Sequence, residues 1–313
     1  MSSEDQRVRF SIVVPTYNEE QDIAATLDAL VALEYADKEI LVVDDSTDAT
    51  PEIVHRYSTR GVRLIRPPRR GGRCEARNIG ITEASGEIVV ILNADVRPRP
   101  DFLARLVPHY QQGYDYVLVL SQVANSEALF ARYVQALAAK DYLDGDPSWM
   151  EWTEGFSCRR DLAIKAGLFP TGYPVHICAG EDGYFATNLR NLGARKKMDL
   201  SIVVDHTAPA LLSEYWHTRK GRLRGGAQMR RYVHNWRIPA IAGWALLRVC
   251  QTAALAILIV PIVIICWRLT KYSQRGIRDL FPFMAAWMVE RLALHVGEWE
   301  GIMEVARASK NTG

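Results

Sequence analysis

The sequence predicts an α/β fold with a mostly parallel sheet, followed by a helical, membrane-associated C-terminal region. Up to about Pro209, short apolar runs that end in polar turns alternate with amphipathic stretches, as they do in α/β domains. A basic, aromatic-rich segment comes next, and after it the almost wholly apolar run from Ile238 to Trp267. With 313 residues the chain is long enough to bury a sizeable core, in one large domain or two smaller ones.

Composition narrows the class of protein. The formal net charge is only +2, so bulk electrostatics give no indication of a nucleic-acid partner. The five cysteines show no CxxC spacing, which argues against a disulfide framework or a zinc site and favours a reducing compartment. The first residues, MSSEDQRVRF, lack the apolar core of a signal peptide. We therefore expect the N-terminal domain to be cytosolic.

The first strand–turn–helix unit is FSIVVPTYNEE, in which an apolar strand is broken by Pro15 and a helix is expected from about Gln21. The second is KEILVVDDSTDAT, with a strand over Ile40 to Val43 that ends at Asp44 and Asp45. The Ser/Thr/Asp-rich turn after these aspartates is suited to cap a helix that begins near Pro51.

The third unit is GEIVVILNAD, where a buried strand over Ile88 to Leu92 stops abruptly at Asn93 and Asp95. Repeated strand, polar turn and helix specify a parallel sheet whose polar residues gather at the carboxyl ends of the strands. Ligands of open α/β sheets bind at that edge. Asn93 and Asp95 are therefore predicted to lie where a ligand binds.

Four segments in order, covering Ser11 to His206, resemble the family 2 glycosyltransferases with the GT-A fold. They are SIVVPTYNEE, EILVVDDSTDAT, GGRCEARNIGITEASGEIVVILNADV and GEDGYFATNLRNLGARKKMD. Each segment alone is a weak signal, whereas four in the right order and spacing are specific. The resemblance implies an enzyme that moves a sugar from a nucleoside diphosphate to an acceptor hydroxyl or phosphate.

The resemblance also implies a divalent cation, Mn²⁺ or Mg²⁺, that neutralises the leaving diphosphate. Asp95 matches the metal-binding aspartate of the family's DxD motif, but Asn93 stands where the motif has its first aspartate. His206 falls where some relatives place a further metal ligand, and an imidazole beside a carboxylate suits Mn²⁺ better than Mg²⁺. Asp205 competes with His206 for that role. The alternative for Asn93 and Asp95 is that they only cap a turn.

The resemblance assigns nucleotide binding to residues after the first two strands and near the third. Carboxylates at such positions accept hydrogen bonds from ribose hydroxyls and from the base. Capping of the following helix is the alternative for Asp44 and Asp45. The predicted nucleotide-binding residues are Pro15, Thr16, Tyr17, Glu19, Asp44, Asp45, Arg77, Asn93 and Ala94.

Glu181 and Asp182 match the family's ED motif, and the resemblance makes Asp182 the catalytic base that deprotonates the acceptor. One base without a second, nucleophilic carboxylate implies direct displacement with inversion at the anomeric carbon. If the acceptor is a phosphate, which is already ionised, the base matters less. The alternative is that Asp182 is the N-cap of the helix GYFATNLRNLG.

From Tyr215 to Arg237 the chain carries seven Lys and Arg and no acidic residue. Within it, QMRRY is similar to the QxxRW motif of processive relatives such as the cellulose synthases, with Tyr in place of Trp. Arginines here can clamp a phosphate, or the segment can bind anionic lipid headgroups; both interpretations stay open. The residues predicted to contact acceptor or phosphate are Glu181, Arg219, Arg222, Arg224, Gln228 and Arg231.

The run from Ile238 to Trp267 exceeds the ~20 apolar residues that a membrane span needs. A second apolar stretch, Leu280 to Gly297, contains three charged or titratable residues and fits either a span or an interfacial helix. Basic residues on both sides of the first run leave two topologies, a single crossing or a run that dips in and returns near Pro261. The predicted domains are residues 1–210, the catalytic domain, 211–237, a basic interface segment, and 238–313, the membrane-associated helices.

The sequence therefore predicts a metal-dependent, inverting glycosyltransferase that uses a GDP- or UDP-sugar of the mannose or glucose type. Its expected acceptor is a membrane lipid, a polyprenyl or dolichyl phosphate or a lipid-linked glycan, and no nucleic-acid partner is expected. The expected location is the cell membrane, with the catalytic domain on the cytoplasmic face. The alternatives are a short-chain polysaccharide synthase and a weakly active sugar-nucleotide-binding membrane protein, the latter favoured by Asn93.

Overall fold

The first third of the chain builds one side of a sheet from four parallel strands joined by helices. A computed structural model describes residues 8–145 and 150–311. The elements are β1 (Phe10–Thr16), α1 (Ile23–Val31), β2 (Lys38–Asp44), α2 (Thr50–His55), β3 (Val62–Ile65), α3 (Gly72–Glu83) and β4 (Ile88–Ile91). Strand pairs β3–β2, β2–β1 and β1–β4 are all parallel.

The sheet continues beyond β4 with antiparallel pairs. The further elements are β5 (Val96–Pro98), α4 (Phe102–Gln111), β6 (Tyr116–Val123), α5 (Leu129–Asp144), β7 (Phe156–Arg159), α6 (Arg160–Lys165), α7 (Glu181–Asn191) and β8 (Lys196–His206). The eight strands lie in the order β3-β2-β1-β4-β7-β6-β8-β5. Strand β7 is antiparallel to both β4 and β6, and β5 is antiparallel to β8.

Burial explains why the strands are so apolar. In β1 every residue except Pro15 is buried, and all four residues of β4 are buried. Parallel strands covered by helices on both faces have such near-continuous apolar runs. One hydrophobic cluster joins these strands to α1 and α4 through residues such as Phe10, Leu27 and Phe102. The predicted α/β fold is confirmed; the strands β3-β2-β1-β4 are parallel, and antiparallel strands extend the sheet beyond them.

The chain divides into two compact units. The first contains residues 1–122, 147–171 and 182–206, and holds the sheet. The second contains residues 123–146, 172–181 and 207–313, and is helical. Its further helices are α8 (Leu212–Gln228), α9 (Ile238–Leu258), α10 (Val260–Thr270) and α11 (Leu280–Asn311), with a π-helical turn at Met229–Val233 and a 3-10 turn at Gly276–Asp279. The predicted boundaries at residues 210 and 237 stay predictions.

Helices α8 and α11 pack with their backbones close together. Glycines make this possible, because a Cβ at Gly297 would lie 1.9 Å from the carbonyl oxygen of Lys220, and one at Gly301 would lie 2.6 Å from that of Arg224. Ion pairs run along the same contact, including Lys220 with Glu300 at 3.0 Å. The α8–α11 pair is therefore held by close backbone packing and by matched charges on the two helices.

We expect Gly297→Ala to destabilise the helical unit by about 1–3 kcal/mol, since backbone atoms rather than a movable side chain occupy the space that the new methyl group needs. Urea unfolding of the full chain followed by circular dichroism measures the change. Gly221→Ala is the matched control on α8, because nothing lies within 4 Å of a Cβ at that position. The control is expected to be neutral or slightly stabilising. Equal effects of the two substitutions would contradict the close-packing explanation.

The long apolar run does not form one straight helix. Helix α9 ends at Leu258, Ile259 adopts φ 55°, and α10 begins at Val260 with Pro261 in its first turn. Proline is tolerated there because the first helical N–H has no intrahelical acceptor. Among the described residues, only α9 is both long and apolar enough to cross a membrane, with a mean hydropathy of 1.7 and just 11% of its most apolar stretch buried. The break lies next to the predicted turning point at Pro261.

Candidate functional site

The loops that follow β1 and β2 are hydrogen-bonded to each other at the carboxyl edge of the sheet. The backbone N–H of Asn18 donates to the Ser46 hydroxyl at 2.7 Å, and the N–H of Thr47 donates to the Asn18 side chain at 3.0 Å. The Glu19 N–H donates to the Thr50 hydroxyl at 2.9 Å. Asn18 adopts φ 57°, a left-handed conformation that asparagine tolerates better than most residues. The two loops form one platform, in or beside which lie the predicted nucleotide-binding residues of the first two units; Arg77, Asn93 and Ala94 lie elsewhere.

Asp44 is completely buried at the end of β2 and is well supplied with donors. Its Oδ1 accepts from the Thr16 hydroxyl at 2.8 Å and from the Ser46 side chain, while its Oδ2 pairs with Arg66. Arg66 also donates to the Ser46 carbonyl at 3.2 Å. Arg66 was not among the predicted site residues. The feature that could have indicated it is its place directly after β3, at the same sheet edge as Asp44.

Asp45 faces the glycine-rich loop before α3. Its Oδ2 accepts from the backbone N–H groups of Gly71 and Gly72 at 3.2 and 3.3 Å, and Gly72 has φ 74°. In the same loop the Arg70 guanidinium lies 3.7 Å from the ring centroid of Tyr17, which is 38% exposed. The loop therefore presents an exposed aromatic–arginine stack beside two buried or half-buried carboxylates.

The structure brings Asp95 and His206 together. The Nε2 atom of His206 lies 3.2 Å from Oδ2 of Asp95, because β5 pairs with β8 so that Val96 is opposite His206. Asp205 is opposite Arg97, and neighbouring side chains on a strand point to opposite faces. Of the two competing candidates, His206 is thus the one that contacts Asp95. The role of the pair in metal binding stays a prediction.

The donor set of this pair fits a divalent cation that also binds a diphosphate. Oδ1 of Asp95 is buried and accepts no hydrogen bond from any described residue, so it has a lone pair to offer. Within the described ranges, no group of three or more His, Cys, Asp or Glu side chains is arranged to hold a metal ion. A carboxylate and an imidazole would therefore supply two ligands, and the remaining ones would come from phosphate oxygens or water.

Glu19 lies close enough to Asp95 for the two charges to interact. Burial is the main cause that raises the pKa of Glu19, to about 7, and the charges of Asp95 and Asp22 add to it. Repulsion between carboxylates at one site favours protonation of one of them. At neutral pH this corner of the site consequently carries less negative charge than its count of carboxylates suggests.

Arg77 links the ED segment to the end of β4. Its guanidinium is 1% exposed, pairs with Asp182 and donates to Oδ1 of Asn93 at 3.4 Å. The rings of Trp152 and Phe169 lie 5.3 and 5.0 Å from the guanidinium, as cation–π partners. Asp182 is the second residue of α7, so it lies inside the helix rather than at its N-cap. Its side chain is 30% exposed. The arginine fixes the position of an accessible carboxylate.

Asn78 holds the aromatic support of Arg77 in place. Its side chain donates to the Phe169 carbonyl and accepts from the Phe169 N–H, both at 2.9 Å. Phe169 in turn stacks on Phe185 of α7 with the ring centroids 4.4 Å apart. Asn78 thus positions Arg77 indirectly. Next to the site, the carbonyl of Ala94 accepts a hydrogen bond from the Thr26 hydroxyl, which fixes the chain between Asn93 and Asp95.

Glu154 contacts the candidate site through Asn93, although it was not among the predicted site residues. Its Oε2 accepts a 2.9 Å hydrogen bond from Nδ2 of Asn93. Because Arg77 is on the carbonyl side of the same amide, both ends of Asn93 are engaged. Burial raises the pKa of Glu154; His206 and Arg77 oppose this rise, and the charges of Asp95 and Asp182 reinforce it. A carboxyl group thus stands beside the residue that replaces the first aspartate of the DxD motif.

Glu154→Ala is expected to weaken nucleotide binding about tenfold, because the half-buried Asn93 amide loses the acceptor that fixes its orientation. Glu154→Gln keeps an acceptor oxygen for Asn93 and should bind within about threefold of the wild type. Isothermal titration calorimetry with a panel of nucleoside diphosphates compares the three proteins. If Glu154→Gln bound as weakly as Glu154→Ala, the charge of Glu154 rather than its hydrogen bond would be what matters.

The predicted acceptor residues of α8 have partners on α11 in the helical unit. Arg219 lies 3.3 Å from Glu290, with both side chains nearly buried. Arg224 and Gln228 both bind Glu304, at 2.7 and 2.8 Å. Although burial alone raises the pKa of Glu304, the hydrogen bonds from Arg224 and Gln228 lower it overall. These bonds stabilise the helix pair, and a role in acceptor binding stays a prediction.

The other predicted acceptor residues differ in their surroundings. Glu181 is fully buried at the start of α7. Arg222 is exposed and Arg231 is half-buried, and Tyr232 beside Arg231 stacks on Tyr173 with the ring centroids 5.5 Å apart. The Tyr of the QxxRY sequence thus packs on another aromatic ring. No described contact of these residues identifies an acceptor.

Comparison with known proteins indicates the family of the chain. The family model of Glycosyl transferase family 2 matches residues 11–170, just over half of the chain. The chain is similar to the glycosyltransferase AglE of Haloferax volcanii, with 26% identity over 253 residues that make up 75% of this chain and 79% of AglE. It is also similar to the dolichol-phosphate mannosyltransferase of Pyrococcus furiosus, with 32% identity over 36% of this chain and 32% of that protein.

Among solved structures, the chain resembles the mannosyltransferase PcManGT from Pyrobaculum calidifontis, determined in complex with GDP-Man and Mn²⁺. The TM-score is 0.59 at 22% identity, and the match covers 92% of this chain and 87% of that protein. At this identity the likeness establishes the fold. The alignment also extends over most of the helical C-terminal half, which the family model does not reach.

Proposed function

The chain belongs to glycosyl transferase family 2, and from that premise we propose that it transfers a mannose- or glucose-type sugar from a GDP- or UDP-sugar to a membrane lipid acceptor. The acceptor class is a polyprenyl or dolichyl phosphate, or a lipid-linked glycan. The observation that carries the proposal is the closeness of Asp95, His206, Arg77 and Asp182, all four of which interact electrostatically with Glu154 at the sheet edge where β4 ends. Ligands of open α/β sheets bind at such an edge.

The donor is proposed to lie on the platform formed by the loops after β1 and β2. Asp45, Tyr17 and Glu19 lie at this platform, and the two carboxylates can accept hydrogen bonds from ribose hydroxyls and base N–H groups. Asp44 is fully buried and already bonded to Thr16 and Arg66, so it is proposed to hold the two loops in place. Asp95 and His206 would hold Mn²⁺ or Mg²⁺, which neutralises the negative charge of the leaving diphosphate. The similar fold of PcManGT, solved with GDP-Man and Mn²⁺, makes GDP-mannose the first donor to test.

Asp182 is proposed as the base that takes the proton from an acceptor hydroxyl. Its partial exposure leaves the carboxylate accessible, and its pairing with buried Arg77 fixes its direction. Attack by the deprotonated oxygen on the anomeric carbon, with departure of the nucleoside diphosphate, inverts that carbon. A phosphate acceptor arrives ionised, and Asp182 then only orients it.

The membrane part of the proposal is supported by helix α9 and by two relatives whose names include a lipid phosphate. Besides the dolichol-phosphate enzyme, an undecaprenyl-phosphate 4-deoxy-4-formamido-L-arabinose transferase of Yersinia pestis is 32% identical over 37% of this chain. Helix α9 exposes large apolar side chains, among them Trp244, Leu247 and Ile257. Because sugar nucleotides are cytoplasmic, the catalytic unit is proposed to lie on the cytoplasmic face.

The experiment that tests the proposal is Mn²⁺-dependent transfer of radiolabelled sugar into extracted membrane lipid. Purified full-length protein is incubated with GDP-mannose, UDP-glucose and related donors, and the lipid fraction is counted and resolved by chromatography. Label in one lipid product from one donor is the expected result. Transfer of nothing from any donor, in spite of nucleotide binding, would contradict the proposal and favour a sugar-nucleotide-binding protein.

A short-chain polysaccharide synthase is the second candidate, and a relative favours it. The chain is 35% identical over 30% of its length to the poly-beta-1,6-N-acetyl-D-glucosamine synthase of Staphylococcus epidermidis, of which the match covers 24%. Product length separates the two candidates. A ladder of products on a gel would indicate polymer synthesis, whereas one labelled species would indicate single transfer.

A further inference from the structure

A cavity of about 210 Å³ lies inside the helical unit, between α9 and α10 on one side and α11 on the other. Since a water molecule occupies about 30 Å³ in the liquid, this space is large enough for a phosphate group with its bound water. Gln251 and Ile265 line the cavity and are exposed, so it is open to the surface. No residue of the predicted catalytic site contributes to it.

The polar side chains that line the cavity can all donate hydrogen bonds, and two of them are positively charged. Two arginines, Arg248 and Arg291, line the cavity together with His295, and none of the described lining residues is acidic. The nearest carboxylate to Arg248 is that of Glu298, at 3.7 Å, and this carboxylate also binds Arg230 at 2.9 Å. The single negative charge of Glu298 is thus shared by two arginines, so it does not neutralise both, and the surroundings of Arg248 keep a net positive charge.

Arg291 is the least compensated of these charges. Its guanidinium lies 5.3 Å from the ring centroid of Trp287, and its Nε atom is buried without a hydrogen-bond partner among the described residues. A buried guanidinium N–H without an acceptor is costly, by ~1–3 kcal/mol or more for a charged group. The guanidinium has no ion-pair partner among the described residues, and an anion in the cavity that Arg291 lines would supply one.

The surface around the cavity is apolar. Leu255 and Leu294 line it, and α9 and α10 expose large apolar side chains nearby, including Leu258, Ile264 and Trp267. A soluble anion gains nothing from such surroundings, whereas an amphiphile gains by burying its acyl chains against them. Basic pockets between membrane helices bind lipid headgroups in this way.

We propose that this cavity binds the phosphate headgroup of an anionic membrane phospholipid, through the guanidinium groups of Arg248 and Arg291 and the hydrogen-bonding side chains of His295 and Thr252. His295 already bonds Thr252 across the helices, with Nε2 2.8 Å from the hydroxyl oxygen. The lipid is a bound component of the helical unit rather than a substrate. Its acyl chains lie along the exposed apolar faces of α9 and α10.

Binding to the full chain in neutral detergent tests the proposal without any sugar donor, so its outcome is independent of transfer activity. The probes are short-chain phosphatidylglycerol, short-chain phosphatidylcholine, farnesyl phosphate and inorganic phosphate, and the readouts are thermal shift and native mass spectrometry. The wild type is expected to bind phosphatidylglycerol more tightly than the other three. Arg291→Gln should weaken that binding about tenfold, by the loss of a charge-assisted contact.

Arg268→Gln is the matched control, because it removes the same charge from an exposed position on α10 outside the cavity. Equal loss in the control and in Arg291→Gln would overturn the proposal, since it would indicate general attraction to a basic surface. Tighter binding of farnesyl phosphate or inorganic phosphate than of phosphatidylglycerol would also overturn it, in favour of an acceptor or a free anion. If Arg291→Gln does not fold, photoactivatable phosphatidylglycerol on the wild type should label peptides around residues 248–255 or 287–295, and label elsewhere would refute the site.

Discussion

Asp182→Asn is expected to lower transfer to a hydroxyl acceptor by about 10²–10⁴-fold, the range that a positioned general base contributes. Asparagine has nearly the same shape and can still accept a hydrogen bond from Arg77, so the change removes the base and leaves the local geometry in place. Alanine is the poorer choice, because it would remove the acceptor oxygen as well as the charge that faces the buried Arg77, and would destabilise the fold more. Initial rates of label transfer, measured for each acceptor separately, give the ratio.

The matched control for this prediction is Asp161→Asn, at a 68% exposed aspartate of α6 that pairs only with exposed Lys165 among the described residues. It should transfer at the wild-type rate. With a polyprenyl phosphate as acceptor, Asp182→Asn should lose little, because the nucleophile is already ionised. An unchanged rate with a hydroxyl acceptor would remove Asp182 from the role of base.

The parallel half of the sheet and its polar edge could be predicted because their information is local. Each of β1, β2 and β4 is an apolar run that ends at a polar turn, and parallel strands bring such ends to one edge. The antiparallel strands β7 and β6 could not be placed in the same way. The position of β7 beside β4 depends on pairings between residues about 70 positions apart, such as Ile88 with Arg159, and β6 in turn pairs with β7.

Glu154 and Arg66 show why part of the site was missed. Glu154 is a single acidic residue between Thr153 and Gly155, 61 positions from the Asn93 that it binds. Nothing local distinguishes it from a solvated loop residue. The available signal was indirect, since an asparagine in place of the first DxD aspartate leaves an amide donor that needs an acceptor nearby. Arg66 is similar, because the buried Asp44 carboxylate requires a cation or several donors.

The basic segment has partners that its own sequence does not reveal. Two of its cationic side chains pair with glutamates of the C-terminal helix, and the predicted roles toward phosphate or lipid stay predictions. The spacing was informative, because residues four apart on α8, Lys220 and Arg224, meet glutamates four apart on α11, Glu300 and Glu304. Residues four apart lie on the same face of a helix. Such complementary patterns predict two helices that pack together.

The second large effect is expected at the metal pair. Asp95→Asn should reduce transfer by at least about 100-fold and weaken Mn²⁺ binding, because an amide oxygen replaces the only charged ligand of the pair. The buried Oδ1 atom, which has no partner among the described residues, is the lone pair that the cation would use. Mn²⁺ titration followed by electron paramagnetic resonance measures binding directly, in the presence of a nucleoside diphosphate and without turnover.

Asp205→Asn is the control that decides between the two neighbouring candidates on β8. It removes the same charge one residue away, but from the position opposite Arg97 rather than opposite Val96. Mn²⁺ affinity is expected to be unchanged in this variant, and to fall in His206→Gln by less than in Asp95→Asn, since imidazole carries no charge to lose. If Asp205→Asn lost Mn²⁺ while His206→Gln kept it, the contact between His206 and Asp95 would be a structural hydrogen bond, and the cation would have to bind on the other face of β8.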